Sequence, residues 1–399
     1  MIQAGVGQSK NNDSKKAGQE AYQMALSQIA GEKPELVLVF ASSKFDQKQL
    51  LDSIKSETEK IPVVGCSTSG EITNQGPNKE SVAVMAIRAD NIDFAVGLGK
   101  GVKENSRQAG KQTAEDVQKK LAGKPSMFIM LPDGLTGNGA EIVRGILDVL
   151  GEHFPLMGGS AGDDFKFEKT FEYYEGEVFN DAVVGIGMTG KFAWGVGVRH
   201  GWEPIGLPMK VTKSEGAVLK ELDNKPALRI YEDYFGKKAE ELIREPIARM
   251  AYTYPLGMSV EGSPELLIRD VVIANEKGEI TCAAEIPQGS EIRLMLGDPE
   301  KAINSAREAA ENAKSQLKGA KPKAIFVFDC IARCKLLGQG IRTKEEVDAI
   351  QEILGKDVPL IGFYTYGEQA PLGGNIDPQV CQAVFHNETM ALLVIGEYD

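Results

Sequence analysis

The stretch V-P-L-I-G-F-Y-T-Y-G-E at 358–368 is an apolar run entered through proline that passes a glycine into a polar loop closing on glycine and a carboxylate. The same pattern stands at I-P-V-V-G-C-S-T-S-G-E (61–71) and F-P-L-M-G-G-S-A-G-D-D (154–164). Upstream of each lies another proline-led apolar run, Pro34 to Phe40, Pro125 to Leu131 and Pro322 to Phe328, with a helix-like segment between the two runs. Downstream comes a third, Ser81 to Ile87, Asp181 to Met188 and Met390 to Ile395. The repeated unit is therefore strand, helix, strand, polar loop, strand. Apolar runs with little alternation indicate strands covered on both faces. The fold class expected is α/β, with repeated units forming mixed sheets flanked by helices in two domains.

The segments N-I-D-F-A-V-G-L-G-K-G (91–101) and K-F-A-W-G-V-G-V-R-H-G-W (191–202) match each other and read as the ends of two copies, about 1–101 and 104–202. That gives an N-terminal domain over 1–206 and a C-terminal domain over 207–399, the latter holding the third copy at about 322–396 with inserted helices and a hairpin. A strand is expected over Gln3 to Gln8, and helices over Ser14 to Ile29 and Asn105 to Leu121. Val211 to Gly236 reads as a short strand and two helices, and Lys238 to Met250 as a further helix. The turn N-E-K-G (275–278) joins a hairpin. Asp298 and Pro299 start a helix, and Thr343 with Glu346 form a capping box. The spaced glycines of G-V-G-Q-S, G-L-G-K-G and G-V-G-V lack the full G-x-G-x-x-G pattern, which argues against a nucleotide site.

With 57 acidic against 45 basic residues, the net charge of −12 disfavours nucleic acid and anionic membranes as partners. No apolar stretch reaches the ~20 residues of a spanning helix. The N-terminus lacks a secretory pattern, and five scattered cysteines do not make a disulfide framework. A cytoplasmic location is the expectation.

Three loops supply candidate site residues. In the first, Ser67, Thr68, Ser69 and Glu71 offer hydroxyls and a carboxylate at a strand end, or a turn that satisfies its own backbone. Cys66 beside them has no activating base in its segment and reads as a buried thiol. In the second, Ser160 and the pair Asp163 and Asp164, with Asp133 at the neighbouring strand end, suit an ammonium anchor, a hard cation or a cap. In the third, Arg333 offers bidentate pairing to a carboxylate. Tyr364 and Tyr366 give flat walls, and Gly367, Glu368, His386, Asn387 and Thr389 complete a polar set. The alternative is that Arg333 pairs with Glu368 and the tyrosines are core. Cys330 and Cys334 share a helix face but lack the further ligands zinc needs, so no metal and no cofactor is expected. The pair suits oxidation instead.

The strings G-C-S-T-S-G-E, L-P-D-G (131–134) and G-G-S-A-G-D-D resemble the N-terminal half of FIST proteins. L-I-R-D (267–270), I-P-Q-G-S-E-I-R-L-M (286–295), D-C-I-A-R-C (329–334), G-F-Y-T-Y-G-E and F-H-N-E-T (385–389) resemble the FIST C-terminal pattern, in order. That resemblance implies a sensory module that binds a small polar metabolite, an amino acid or small carboxylate, and relays it to a separately encoded signalling partner. Two other classes stay open: an enzyme acting on a small acid or amide through Cys66, Asp163 or the Arg333 to His386 cluster, and a protein-interaction scaffold.

Overall fold

In the computed structural model, which describes residues 1–58, 60–236, 241, 247–338 and 340–398, three units are built alike. Each opens on a glycine-spaced strand (Ile2–Ser9, Ile92–Lys100, Ala193–Arg199) and a helix (Ser14–Gln28, Val102–Leu121, Pro299–Gln316). A strand follows (Leu36–Ser42, Met127–Pro132, Lys321–Cys330), then a second helix (Gln47–Thr58, Gly139–Leu150, Ile341–Leu354) and a parallel strand (Val63–Thr68, Leu156–Gly159, Leu360–Thr365). The closing strands are Val82–Ala89, Ala182–Gly190 and Met390–Glu397. The fold is mixed α/β, as the uninterrupted apolar runs require.

Each polar loop leads into a short hairpin, and every hairpin is given to another unit's sheet. The hairpin opened by Glu71 pairs with Leu360–Thr365 of the third unit. The one opened by Glu172 pairs with Val63–Thr68 of the first, and the one opened by Glu368 with Leu156–Gly159 of the second. Registers correspond: Glu71 lies opposite Phe363, Glu172 opposite Cys66, Glu368 opposite Gly159. The exchange interlocks the three sheets around one apolar core that includes Phe40, Cys66, Leu131, Phe328 and Phe363. Each outer face packs on its own helices, so both faces of each sheet are covered.

The spaced glycines have a packing reason. A Cβ on Gly7 would stand 1.9 Å from the Ala21 carbonyl oxygen, on Gly99 2.0 Å from that of Ala109, and on Gly197 1.9 Å from that of Ala309. Strand and helix touch backbone to backbone, which a side chain forbids. Hydrogen bonds also place these strands at the start of a unit. Ile92–Lys100 pairs along its length with Ala182–Gly190, and Ala193–Arg199 with Met390–Gly396. The segments at 91–101 and 191–202 are alike because each opens the unit that follows it, and they do not end the copies before them.

Between the opening strand and first helix of the third unit, the chain inserts a nine-stranded sheet with its own core. The hairpin Val271–Ala274 with Ile280–Cys282 forms at N-E-K-G as expected. Residues 209–226 are strands rather than the first of two helices, and a single helix follows, Arg229–Phe235. The expected helix over Lys238 to Met250 lies largely outside the described residues. Asp298 caps its helix through Lys301 N–H, as expected. The Thr343 and Glu346 capping box does not form: the helix begins at Ile341, and Glu346 is spent on Arg333.

Candidate functional site

A cleft of about 480 Å³ opens where the second unit, the third unit and the inserted sheet meet. Four of the expected residues line it: Asp133, Ser160, Tyr366 and Asn387. The exchanged hairpin brings them together. Ser160 N–H donates to the Gly367 carbonyl at 2.8 Å, and Tyr366 N–H donates to the Ser160 carbonyl at 3.2 Å. Gly367, at φ +154°, leaves the space that the Phe385 ring fills; a Cβ there would lie 2.3 Å from that ring.

The remaining expected residues are occupied elsewhere. Arg333 is wholly buried and does not face the cleft. Its Nε lies 2.9 Å from Asp329, and its other nitrogens donate to Glu346, Ser305 and the carbonyls of Ala302 and His200. Neither a ligand carboxylate nor Glu368 is its partner, because the fork is filled by two carboxylates of its own unit. Glu368 accepts from Thr365 Oγ1 and Thr389 N–H, and Glu71 from Thr68 Oγ1 and from Ser81. Burial pushes both carboxyls up to about 8. These two open equivalent exchanged hairpins and fasten them. Tyr364 is core, Thr389 Oγ1 donates to the Asn387 carbonyl, and His386 Nε2 lies 3.1 Å from the Ala370 carbonyl. Burial lowers His386 to about 3, so its ring is neutral.

Ser67 Oγ donates to the Gly162 carbonyl and accepts from Phe171 N–H, and Ser69 is buried beside Gly162. Asp163 is no ammonium anchor. Burial raises its carboxyl, but the Tyr366 hydroxyl and the N–H groups of Phe167, Glu168 and Lys169 outweigh that and hold it below the usual range. Asp164 accepts from Ser42 and Ser43. Asp133 accepts from the N–H groups of Leu135, Thr136 and Asp181, which shapes the loop that lines the cleft. Cys66 and Cys330 are buried with their thiols pushed well up by burial, which removes the thiolate a nucleophile needs. Burial likewise holds Cys334 up at about 12.

The cleft's chemistry lies in residues outside the expected set. Asp270 lines it from the inserted sheet. Against it stands Glu388, fully buried at φ +53°, and no N–H or hydroxyl among the described residues reaches either Glu388 oxygen. Asn387 Oδ1 is also buried and has no donor among the described residues. Burial pushes Asp270 up to about 7, and burial together with the Asp270 charge pushes Glu388 well above the carboxylate range. Two carboxyl groups in contact are stable with one proton between them. The cleft is also lined by Lys335 and by Phe165 and Phe167 in the loop after Asp164. Asp270 and Glu388 sit inside L-I-R-D and F-H-N-E-T, so the motifs marked them; the contact between two strings so far apart was not readable from either.

Residues 35–225 match the FIST N domain and residues 227–371 the FIST C domain. An uncharacterized protein of Methanocaldococcus jannaschii is 28% identical over 83% of this chain and 69% of its own length. An uncharacterized protein of Mycobacterium tuberculosis is 26% identical over 94% and 96%. Among solved structures, a cyanuric acid hydrolase from A. caulinodans is similar over the whole of both chains at 8% identity and a TM-score of 0.40, too remote to bear on function. No helix among the described residues is long and apolar enough to cross a membrane.

Proposed function

This chain belongs to the FIST family of sensory and signal-transduction modules, and we propose that the cleft is its sensory site, taking a small molecule with a primary ammonium group. The observation that carries this is the buried pair Asp270 and Glu388, which share a proton in place of a cation, beside Asn387 Oδ1, which has no donor among the described residues. Buried acceptors without donors are costly, and an ammonium brings three donors and a charge. Lys335, which also lines the cleft, suits a ligand carboxylate, and the two charges together describe an amino acid. Asp133, Ser160 and Phe167 come from the FIST N segment, Asp270 and Lys335 from the FIST C segment. A ligand touching both biases their arrangement, which a separately encoded signalling partner would read.

Calorimetric titration of the full chain with amino acids, and with matched carboxylic acids lacking the amine, tests the reading. Amine-bearing ligands bind, acids alone do not, and Asp270→Asn weakens binding by about 10-fold to 100-fold, the worth of a charge-assisted hydrogen bond. Equal binding of the amine-free acids, or an Asp270→Asn protein that binds like wild type, overturns it. The carboxyl near neutrality also favours one competing reading, a general acid acting on a small amide. Conversion of a bound amide over time, lost in Asp270→Asn, would decide for that reading.

A further inference from the structure

We infer that the cleft selects ligands carrying a flat ring, with Phe165, Phe167 and Tyr366 as its specificity-determining residues; this rests on the ammonium-site reading above. Three observations bear on it independently of the carboxylates. Phe165 and Phe167 are 43% and 56% exposed although both are large and apolar. Rings exposed to this degree along a cleft leave part of their surface open to a ligand. Their backbone is also strained: Asp164, Phe165 and Phe167 hold φ of +59°, +67° and +57° without being glycine, a conformation that costs free energy for each residue and persists only where surroundings impose it.

The surroundings do impose it. Asp163 ties the N–H groups of Phe167, Glu168 and Lys169, and Asp164 accepts from Ser42 and Ser43. The rings are thereby arranged in a defined array. Phe167 stacks on Tyr366 at 4.8 Å with 17° between planes, and Phe165 meets Phe167 edge-on at 4.7 Å. The Lys335 ammonium lies 4.1 Å from the Phe165 centroid, which fixes that ring and places a cation beside it. A ligand ring entering the cleft continues this offset and edge-on series, whereas an aliphatic chain gains contact area alone.

The test is calorimetric titration of the full chain with L-phenylalanine, phenethylamine, L-leucine and L-alanine, repeated on Phe167→Leu and Phe165→Leu. These residues are exposed, and leucine keeps apolar bulk while removing the ring. The expectation is that L-phenylalanine and phenethylamine bind about tenfold tighter than L-leucine to wild type, and that Phe167→Leu removes that preference without weakening L-leucine. Equal affinity for L-phenylalanine and L-leucine, or a ring preference that survives both substitutions, overturns the ring inference and leaves the ammonium site standing. Absence of binding by all four amines overturns both.

Discussion

Glu80 and Glu388 stand at the same place in two copies of one unit and live in opposite environments. Each lies two residues before its closing strand, at φ +52° and +53°, just beyond the hairpins opened by Glu71 and Glu368. Glu80 keeps 71% of its side chain in solvent and pairs with Lys44 at 3.2 Å. Glu388 is buried against Asp270, with no N–H or hydroxyl donor among the described residues. The difference is the chain inserted between the opening strand and first helix of the third unit, whose sheet supplies Asp270 and closes the cleft. The repeated unit thus provides a strained corner for a carboxylate, and the insertion makes one of these corners a site.

The sharpest way to break this contrast is Arg333→Ala. If the third unit is held by its own ion cluster, removing the arginine leaves Asp329 and Glu346 buried and unpaired and costs about 3–5 kcal/mol in denaturant unfolding. A loss below 1 kcal/mol would return Arg333 to the list of ligand groups. Gly197→Ala and Gly7→Ala probe what the units share. Each forces a methyl onto a helix carbonyl, and each should lose about 1–3 kcal/mol; a large loss at one and none at the other would deny that the units are packed alike.

Glu388→Gln separates the two corners through pH. Asp270 and Glu388 have raised carboxyls in the folded protein, so the native state holds a proton that the unfolded chain has released above about pH 4. The contribution of this pair therefore falls as pH climbs from about 4 to about 7, while His386, lowered to about 3, contributes in the opposite direction up to the ordinary histidine range. Glu71 and Glu368, raised to about 8, extend the decline. In Glu388→Gln the amide donates to Asp270, the decline up to pH 7 shrinks, and stability at pH 8 rises by about 1 kcal/mol. Unchanged pH slopes in thermal melts would show that the two carboxyls do not share a proton. Glu80→Gln is the smallest effect: an exposed pair with Lys44 is worth about 0–1 kcal/mol in denaturant unfolding.

The strands and helices of the repeat were legible because their signals are local: proline entry, unbroken apolar runs, and small residues at helical spacing such as Ala17, Ala21 and Ala25. Of the site, the loops were legible and the roles were not. Tyr366, Ser160, Asp133 and Asn387 do meet in one cleft. Arg333, Asp163 and Glu368 carry the same residue types a ligand would want, yet each is satisfied by protein groups. Residue type gives a side chain's capacity for hydrogen bonds, and only its neighbours tell whether that capacity is already used.

By itself, the sequence determined that one strand-helix-strand-loop-strand unit occurs three times, since periodicity and turn chemistry act within a few residues. Tertiary structure alone decided which sheet each hairpin joins. The edges offered by Val63–Thr68, Leu156–Gly159 and Leu360–Thr365 present the same backbone pairing groups, so the partner is set by geometry. It also decided which of the equivalent corners is buried. Glu80 and Glu388 share backbone conformation and residue type; solvent covers one and the inserted sheet the other, and burial against Asp270 turns an ordinary surface carboxylate into a group that needs a proton or a cation.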